Sequence, residues 1–205
     1  LNNVQIKLLS DNGMIRFKSN NDVPNIIAPM QPEQQLFFLE CMKPATASPI
    51  LSLSYYDSNS IKHEIIIPTP ILSIQFNESL SLSPNDFMNK WSTLQGQGRD
   101  TSLKMSIGEN VTRGVILKDI KDVISQTLRF GLVSELCQNS TLVAASSLRT
   151  GTISASGEKV SIGCLLRMTL DSSSNSIVNI EIRTLHSSAT EALKEVIQDV
   201  ISNLK

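Results

Sequence analysis

Residues 72–91, LSIQFNESLSLSPNDFMNKW, decide how the chain divides. Leu72, Ile74 and Phe76 alternate with Ser73 and Gln75 at the two-residue period of a strand. Seven residues later the signals change to those of a helix start. Ser83 stands as N-cap, Pro84 takes the first helical position, where its missing N–H costs nothing, and Asp86 puts an acid in the first turn. The predicted helix runs to about Leu94 and is closed by Gly96-Gln97-Gly98. The break predicts two subdomains, 1–78 and 79–205.

Upstream of the break the pattern is strand after strand. Val4, Ile6 and Leu8 alternate with polar residues, and after the turn Asp11-Asn12-Gly13 the alternation resumes at Ile15 and Phe17, which predicts a hairpin. Residues 36–42 are almost wholly apolar, and Leu51, Leu53 and Tyr55 alternate with serines, as a strand with one wet face should. Residues 64–67 predict another strand, cut off by Pro68-Thr69-Pro70 because proline donates nothing to a ladder. Short strands with Asn, Pro and Gly turns and no helical period predict a β-sandwich.

Downstream the reading is mixed. Leu117, Ile120, Val123 and Ile124 have helical spacing, and strand-like runs follow at 129–133, 141–148, 160–170 and 177–183. The serine-rich piece 172–176 is the one low-complexity segment. The last segment is an amphipathic helix with Ser188 as cap and Glu191 three residues on. Its apolar stripe comprises Ala189, Ala192, Leu193, Val196, Ile197, Val200, Ile201 and Leu204. This half predicts an antiparallel sheet covered by helices.

Composition narrows the function classes. Of the 205 residues, 40% are hydrophobic and 18% charged, which is the balance of a globular protein rather than a disordered one. No apolar run reaches the roughly 18 residues that span a bilayer, so direct membrane insertion is not expected. Eighteen basic against 19 acidic residues give a net charge of −1, with no overall field to draw in a phosphate backbone, so nucleic acid is not expected as a partner. The three cysteines, Cys41, Cys137 and Cys164, cannot all pair and show no metal-ligand spacing, which favours reduced, buried thiols. A secreted glycoprotein is the rival reading, because Asn77, Asn110 and Asn139 each open an acceptor triplet.

Few residues offer chemistry. His63 lies in a strand-like run and His186 precedes the last helix, so both read as surface or packing residues. Cys164 shares a strand face with Ile162, Leu166 and Met168, the setting of an inert thiol. Glu191, Glu195 and Asp199 lie on the solvated face of the last helix. No nucleophile elbow, phosphate loop or zinc motif occurs, and an enzyme is not expected. What remains is a surface. The apolar set 162, 164, 166, 168 turns Arg167 to the opposite side of its strand, and Val178, Ile180 and Ile182 do the same for Asn179, Glu181 and Arg183. If the strands pair, Arg167 and Arg183 form a small basic patch; alone, each is an ordinary solvated arginine. Trp91 shares a stripe with Phe87 and Leu94, the spacing of a core anchor, while Met88 one turn before it also permits an apolar ledge at a rim.

Ser-Ile-Gly-Cys-Leu-Leu-Arg at 161–167, Asn-Ile-Glu-Ile-Arg-Thr at 179–184 and Asn-Asp-Phe-Met-Asn-Lys-Trp at 85–91 resemble the C-terminal appendage of alpha-adaptin, the large subunit of the plasma-membrane clathrin adaptor complex. The resemblance implies an all-β immunoglobulin-like sandwich followed by an α+β platform. It implies a non-enzymatic recruitment module in clathrin-mediated endocytosis, at the cytoplasmic face of the plasma membrane in clathrin-coated pits, joined through the rest of its chain to the other adaptor subunits. The implied partners are endocytic accessory proteins with Asp-Pro-Phe, Asp-Pro-Trp or Phe-x-Asp-x-Phe motifs. By position, the implied peptide-binding residues are Trp91, Met88, Asp100, Arg167 and Arg183, with no metal or cofactor. This chain has Met88 where the family has an aromatic and Asn179 where it has a further arginine. Losing a charged partner in a partly desolvated site costs about 1.5–3 kcal/mol. The ear of another adaptor or coatomer subunit shares the two-part plan and is the rival within the class.

Overall fold

The computed structural model describes residues 1–9, 13–19, 22–69, 73–107, 113–171 and 177–203. The expected turn at Asp11-Asn12, the triplet at Asn110, the loop 172–176, and Leu72 and Leu204 lie outside the described residues. The chain forms two compact units, Leu1–Lys43 with Ala47–Ile71, and Pro44–Thr46 with Leu72–Lys205.

The first unit is all β. Strands β1 (Asn2–Leu8), β4 (Ile50–Tyr56) and β5 (Lys62–Pro68) form an antiparallel sheet in the order β1-β4-β5, and β2 (Ile15–Ser19) pairs with β3 (Phe37–Cys41). Leu8 and Leu51 of the first sheet and Phe17, Phe37 and Leu39 of the second line one apolar cavity of about 240 Å³, so the two sheets face each other as a sandwich. The Phe17 and Phe37 rings stack at 4.5 Å. Every residue of β5 is exposed, including Ile65, Ile66 and Ile67, and the strand ends at Pro68, which cannot extend the ladder.

Residues 73–76 are not a strand. They form a 3₁₀ turn. An apolar alternation over three positions is too short to separate the two, and tertiary bonding decides: the Ser73 hydroxyl accepts from the Ala45 N–H at 2.7 Å and donates to its carbonyl at 2.8 Å. Ladder pairing starts one residue later, where β6 (Asn77–Ser79) joins β9 (Thr141–Ile153) of the second unit.

The second unit is an antiparallel sheet in the order β6-β9-β10-β11-β7, built from β7 (Asp100–Ser106), β9 (Thr141–Ile153), β10 (Lys159–Leu170) and β11 (Ile177–Thr184), with the short β8 (Gly131–Leu132) also on β9. Of the strand-like run at 129–133 only these two residues pair. Gly131 passes so close to Leu80 that a Cβ would meet its carbonyl oxygen at 2.6 Å, a backbone approach that only glycine permits.

Each face of the sheet has its own core. On one, Ile162, Cys164, Leu166 and Met168 of β10 and Val178, Ile180 and Ile182 of β11 are buried under helices α2 (Arg113–Asp122) and α3 (Ser187–Ser202). Ile116, Ile120 and Ile124 make the inward stripe of α2 and of the π turn Val123–Thr127 that continues it. On the other face, Leu165 and Val143 pack under α1 (Pro84–Thr93) through Phe87, Trp91 and Leu94. The fold is thus an all-β sandwich followed in sequence by an α+β platform, as the resemblance implies.

The two main caps differ in outcome. Ser83 caps α1 as expected: its Oγ accepts from the Asp86 N–H at 3.1 Å and donates to the Asp86 carboxylate at 2.7 Å. Ser188 does not cap α3. The helix begins two residues earlier than expected, at Ser187 with His186 as N-cap, and the chain entering it is held by Thr184, whose hydroxyl accepts from the His186 N–H at 3.2 Å and bonds Thr190 Oγ1 at 2.9 Å. Both threonines are fully buried, so this small polar network anchors the start of α3 to the end of β11, while no side chain caps the helix.

Candidate peptide cleft

Helix α1 covers only part of its face of the sheet, and a cleft of about 200 Å³ opens beside it. Phe87 and Trp91, one turn apart, enter it from α1 with their rings stacked at 5.5 Å, and Met88 stands at the rim, 54% exposed. Val143 of β9 and Arg167 of β10 are register partners and line it from the sheet. Leu136, Gln138 and Thr141 complete the wall. They are held by two turns: a 3₁₀ turn at Ser134–Leu136, and a tight turn in which Gln138 and Thr141 exchange backbone hydrogen bonds at 2.8 and 3.1 Å. The floor is apolar, and Arg167 is the cation on its lining.

Arg167 pairs across the ladder with Glu181 of β11, Nε to carboxylate at 3.8 Å, with both side chains about half exposed. An exposed pair at that distance is weak and exchangeable. Trp91 is a core residue, 8% exposed, that also lines the cleft.

Arg183 and Asp100 sit elsewhere. Arg183 is not on the cleft lining; its guanidinium stacks 4.3 Å from the Trp91 ring centroid and donates to the Trp91 carbonyl. That carbonyl is in the last turn of α1, where backbone acceptors have no helical partner, so Arg183 ties the helix end to the sheet. Asp100, the register partner of Arg183, accepts from the Gly96 N–H at 2.9 Å and closes the turn after α1. In that turn Gly96, Gln97 and Gly98 all have positive φ. Asn179 lies on the same sheet face, between Thr169 of β10 and Lys104 of β7. Of the five residues expected to bind peptide, three line the cleft, a fourth holds one of them, and the fifth shapes the adjoining turn. Leu136, Gln138, Thr141 and Val143 were not foreseen. The paired turn at 138–141 left a trace in the sequence as Asn139-Ser140, but only the strand register shows that it abuts α1.

The other candidate groups are structural. Burial raises the Cys41 thiol to about 11 and the Cys164 thiol to about 12, so both are protonated at neutral pH. His63 is held by Asp57 at 3.0 Å and stacks on Tyr55. Glu191 and Glu195 are exposed on α3. Asn77 is 2% exposed and its amide nitrogen donates to the Leu128 carbonyl at 3.3 Å, so it presents no acceptor for a glycan in the folded protein.

The family model described as the alpha adaptin AP2 C-terminal domain matches residues 75–201. The chain belongs to that family. The match runs from the 3₁₀ turn ahead of β6 through nearly all of α3 and so contains the whole cleft. The protein is therefore an adaptin appendage, a module of the clathrin adaptor class with a role in protein transport. No individually curated protein matches the chain. No helix among the described residues is long and apolar enough to cross a membrane.

Proposed function

We infer that the appendage is a non-enzymatic recruitment module whose cleft beside α1 takes the aromatic anchor of a short motif, while Arg167 receives the motif's acid. Asp-Pro-Phe, Asp-Pro-Trp and Phe-x-Asp-x-Phe segments in the disordered tails of endocytic accessory proteins fit that description. The carrying observation is the juxtaposition of an apolar floor from Phe87, Trp91 and Val143 with one loosely held arginine at its edge. A cavity of about 200 Å³ suits one aromatic side chain and no large ligand.

Such a site binds weakly by itself, because a disordered ligand loses conformational freedom on docking. Many appendages and many motifs on one coat offset this through effective concentration. In this reading the protein works at the cytoplasmic face of the plasma membrane in clathrin-coated pits, linked to the other adaptor subunits by the remainder of its chain. Trp91 acts from beneath the cleft as its support, and Arg183 and Asp100 hold that support in place.

The test is a calorimetric titration of the purified protein with the three peptide types, beside Arg167→Glu and Met88→Asp variants. Both substituted side chains are about half exposed and outside the buried core, and circular dichroism of each variant checks that the fold is retained. The expected result is saturable micromolar binding that both variants weaken at least tenfold. Wild-type protein that binds none of the peptides overturns the reading.

A further inference from the structure

The sheet face beyond the cleft carries a second cation, two strands and one row from the first. Lys104 of β7, Asn179 of β11 and Thr169 of β10 form one row across three strands, and Ser102, Glu181 and Arg167 form the next. The rows lie on the side of the sheet away from α2 and α3. Asn179, Thr169 and Glu181 are half-buried, while Lys104, Ser102 and Arg167 are exposed. Thr169, Asn179 and Ser102 are short and uncharged, so no large side chain rises between Arg167 and Lys104 except Glu181. The two cations are held alike, by carboxylates just beyond hydrogen-bond length: Arg167 by Glu181 at 3.8 Å, and Lys104, its side chain 64% exposed, by Asp171 at 3.9 Å. Exposed pairs of this kind contribute little and yield readily to another carboxylate.

Resting on the cleft reading above, we propose that Lys104 is a second acid-reading position of the site and that the preferred ligand is an extended peptide carrying two acids. The first acid, next to the aromatic anchor, meets Arg167; the second meets Lys104. Spacing follows from sheet geometry. Lys104 is two strands and one row from Arg167, about 12 Å between Cα atoms at roughly 4.8 Å per strand and 6.6 Å per row. An extended chain covers that in three or four residues at about 3.3 Å each. The occupant is a peptide because the track is polar sheet surface, two strands wide from Arg167 to Lys104, that leads out of a cavity the size of one side chain. Lys104 sets which motifs are favoured and is not needed for anchoring.

The experiment is fluorescence anisotropy with end-labelled peptides. One holds Asp-Pro-Phe in a Gly-Ser background; two others add an aspartate four residues before or four residues after the aspartate of that motif. The proteins are wild type, Lys104→Ala and Lys104→Glu, at about 50 mM and 300 mM salt, conditions that bracket strong and weak screening. One of the two-acid peptides binds wild type about two- to fivefold tighter than the one-acid peptide at low salt. That advantage shrinks at high salt, vanishes in Lys104→Ala and reverses in Lys104→Glu, while the one-acid peptide binds all three proteins alike. Equal binding of all peptides to wild type, or an advantage that survives Lys104→Ala, overturns the Lys104 inference and leaves the cleft standing. Wild type that binds neither the one-acid peptide nor either two-acid peptide overturns the Lys104 inference, and the cleft reading falls with it when the Asp-Pro-Trp and Phe-x-Asp-x-Phe peptides also fail to bind.

Discussion

Arg183 shows how a side chain can matter to a site without facing it. Its guanidinium covers the Trp91 ring and takes up a carbonyl that the end of α1 leaves unpaired. Removing it strips a half-buried carbonyl of a charged donor and opens one side of the ring. Arg183→Ala therefore destabilises the protein by about 1.5–3 kcal/mol, the usual worth of a charge-assisted hydrogen bond. Trp91 is the only tryptophan, so urea unfolding followed by its fluorescence reads both the midpoint and a red-shifted native emission. A variant of unchanged stability with weakened peptide binding would instead place Arg183 among the ligand contacts. The stripe of Phe87, Trp91 and Leu94 was legible in the sequence because helical spacing alone brings it together. The role of Arg183 was not, because it depends on a strand 92 residues away meeting a main-chain oxygen.

At the scale of elements, the two caps separate what local sequence determines from what it does not. Ser83 acts on its own helix within three residues, and Ser83→Ala costs about 1 kcal/mol. Ser188 offers the same local signal, but the buried Thr184–Thr190 pair starts α3 earlier and leaves that serine exposed in the first turn. Ser188→Ala changes stability by less than about 0.5 kcal/mol. Thermal or urea denaturation of the two variants side by side decides the matter, and equal losses would restore Ser188 as the cap. The β4–β5 connection carries a pH dependence. Asp57 bonds His63 and accepts from the Ile61 and Asn59 N–H groups, and these bonds, that to His63 foremost, hold its carboxyl below the ordinary value of 3.8. Because the folded pKa is the lower one, the turn's support is complete above the ordinary value and is lost as pH falls through the depressed one. The Ile61 amide resonance should therefore titrate below pH 3.8, and in Asp57→Asn that transition should be absent. Titration of wild-type Asp57 at the ordinary value would show that the bonds do not form in solution.

Over the whole molecule, the strand-rich first half and the mixed second half were legible because each rests on local period and turn chemistry. The resemblance pointed to Met88, Trp91 and Arg167 of the cleft, but local pattern did not give its wall, which joins residues 87 to 167 through a ladder register that no local pattern specifies. The same contrast governs stability. Both large apolar clusters, one on each side of the β6-β9-β10-β11-β7 sheet, belong to the second unit. The first unit buries few apolar side chains, chiefly Val4, Ile15 and Cys41, and leaves β5 exposed along its length. A unit with so little apolar area removed from water has a small margin over the entropy of ordering its chain. Amides of β1 and β4 should therefore exchange through openings of lower free energy than those of β9, β10 and β11. Native-state hydrogen exchange followed by mass spectrometry measures both sets in one experiment. Leu166→Ala makes the comparison sharper. Truncating that fully buried side chain costs about 2–5 kcal/mol and should accelerate exchange across β9 to β11 while β1 and β4 keep their wild-type rates. Acceleration of all five strands together would mean that the two units unfold as one, and protection in β1 equal to that in β10 would mean that the sandwich draws stability from more than its own core.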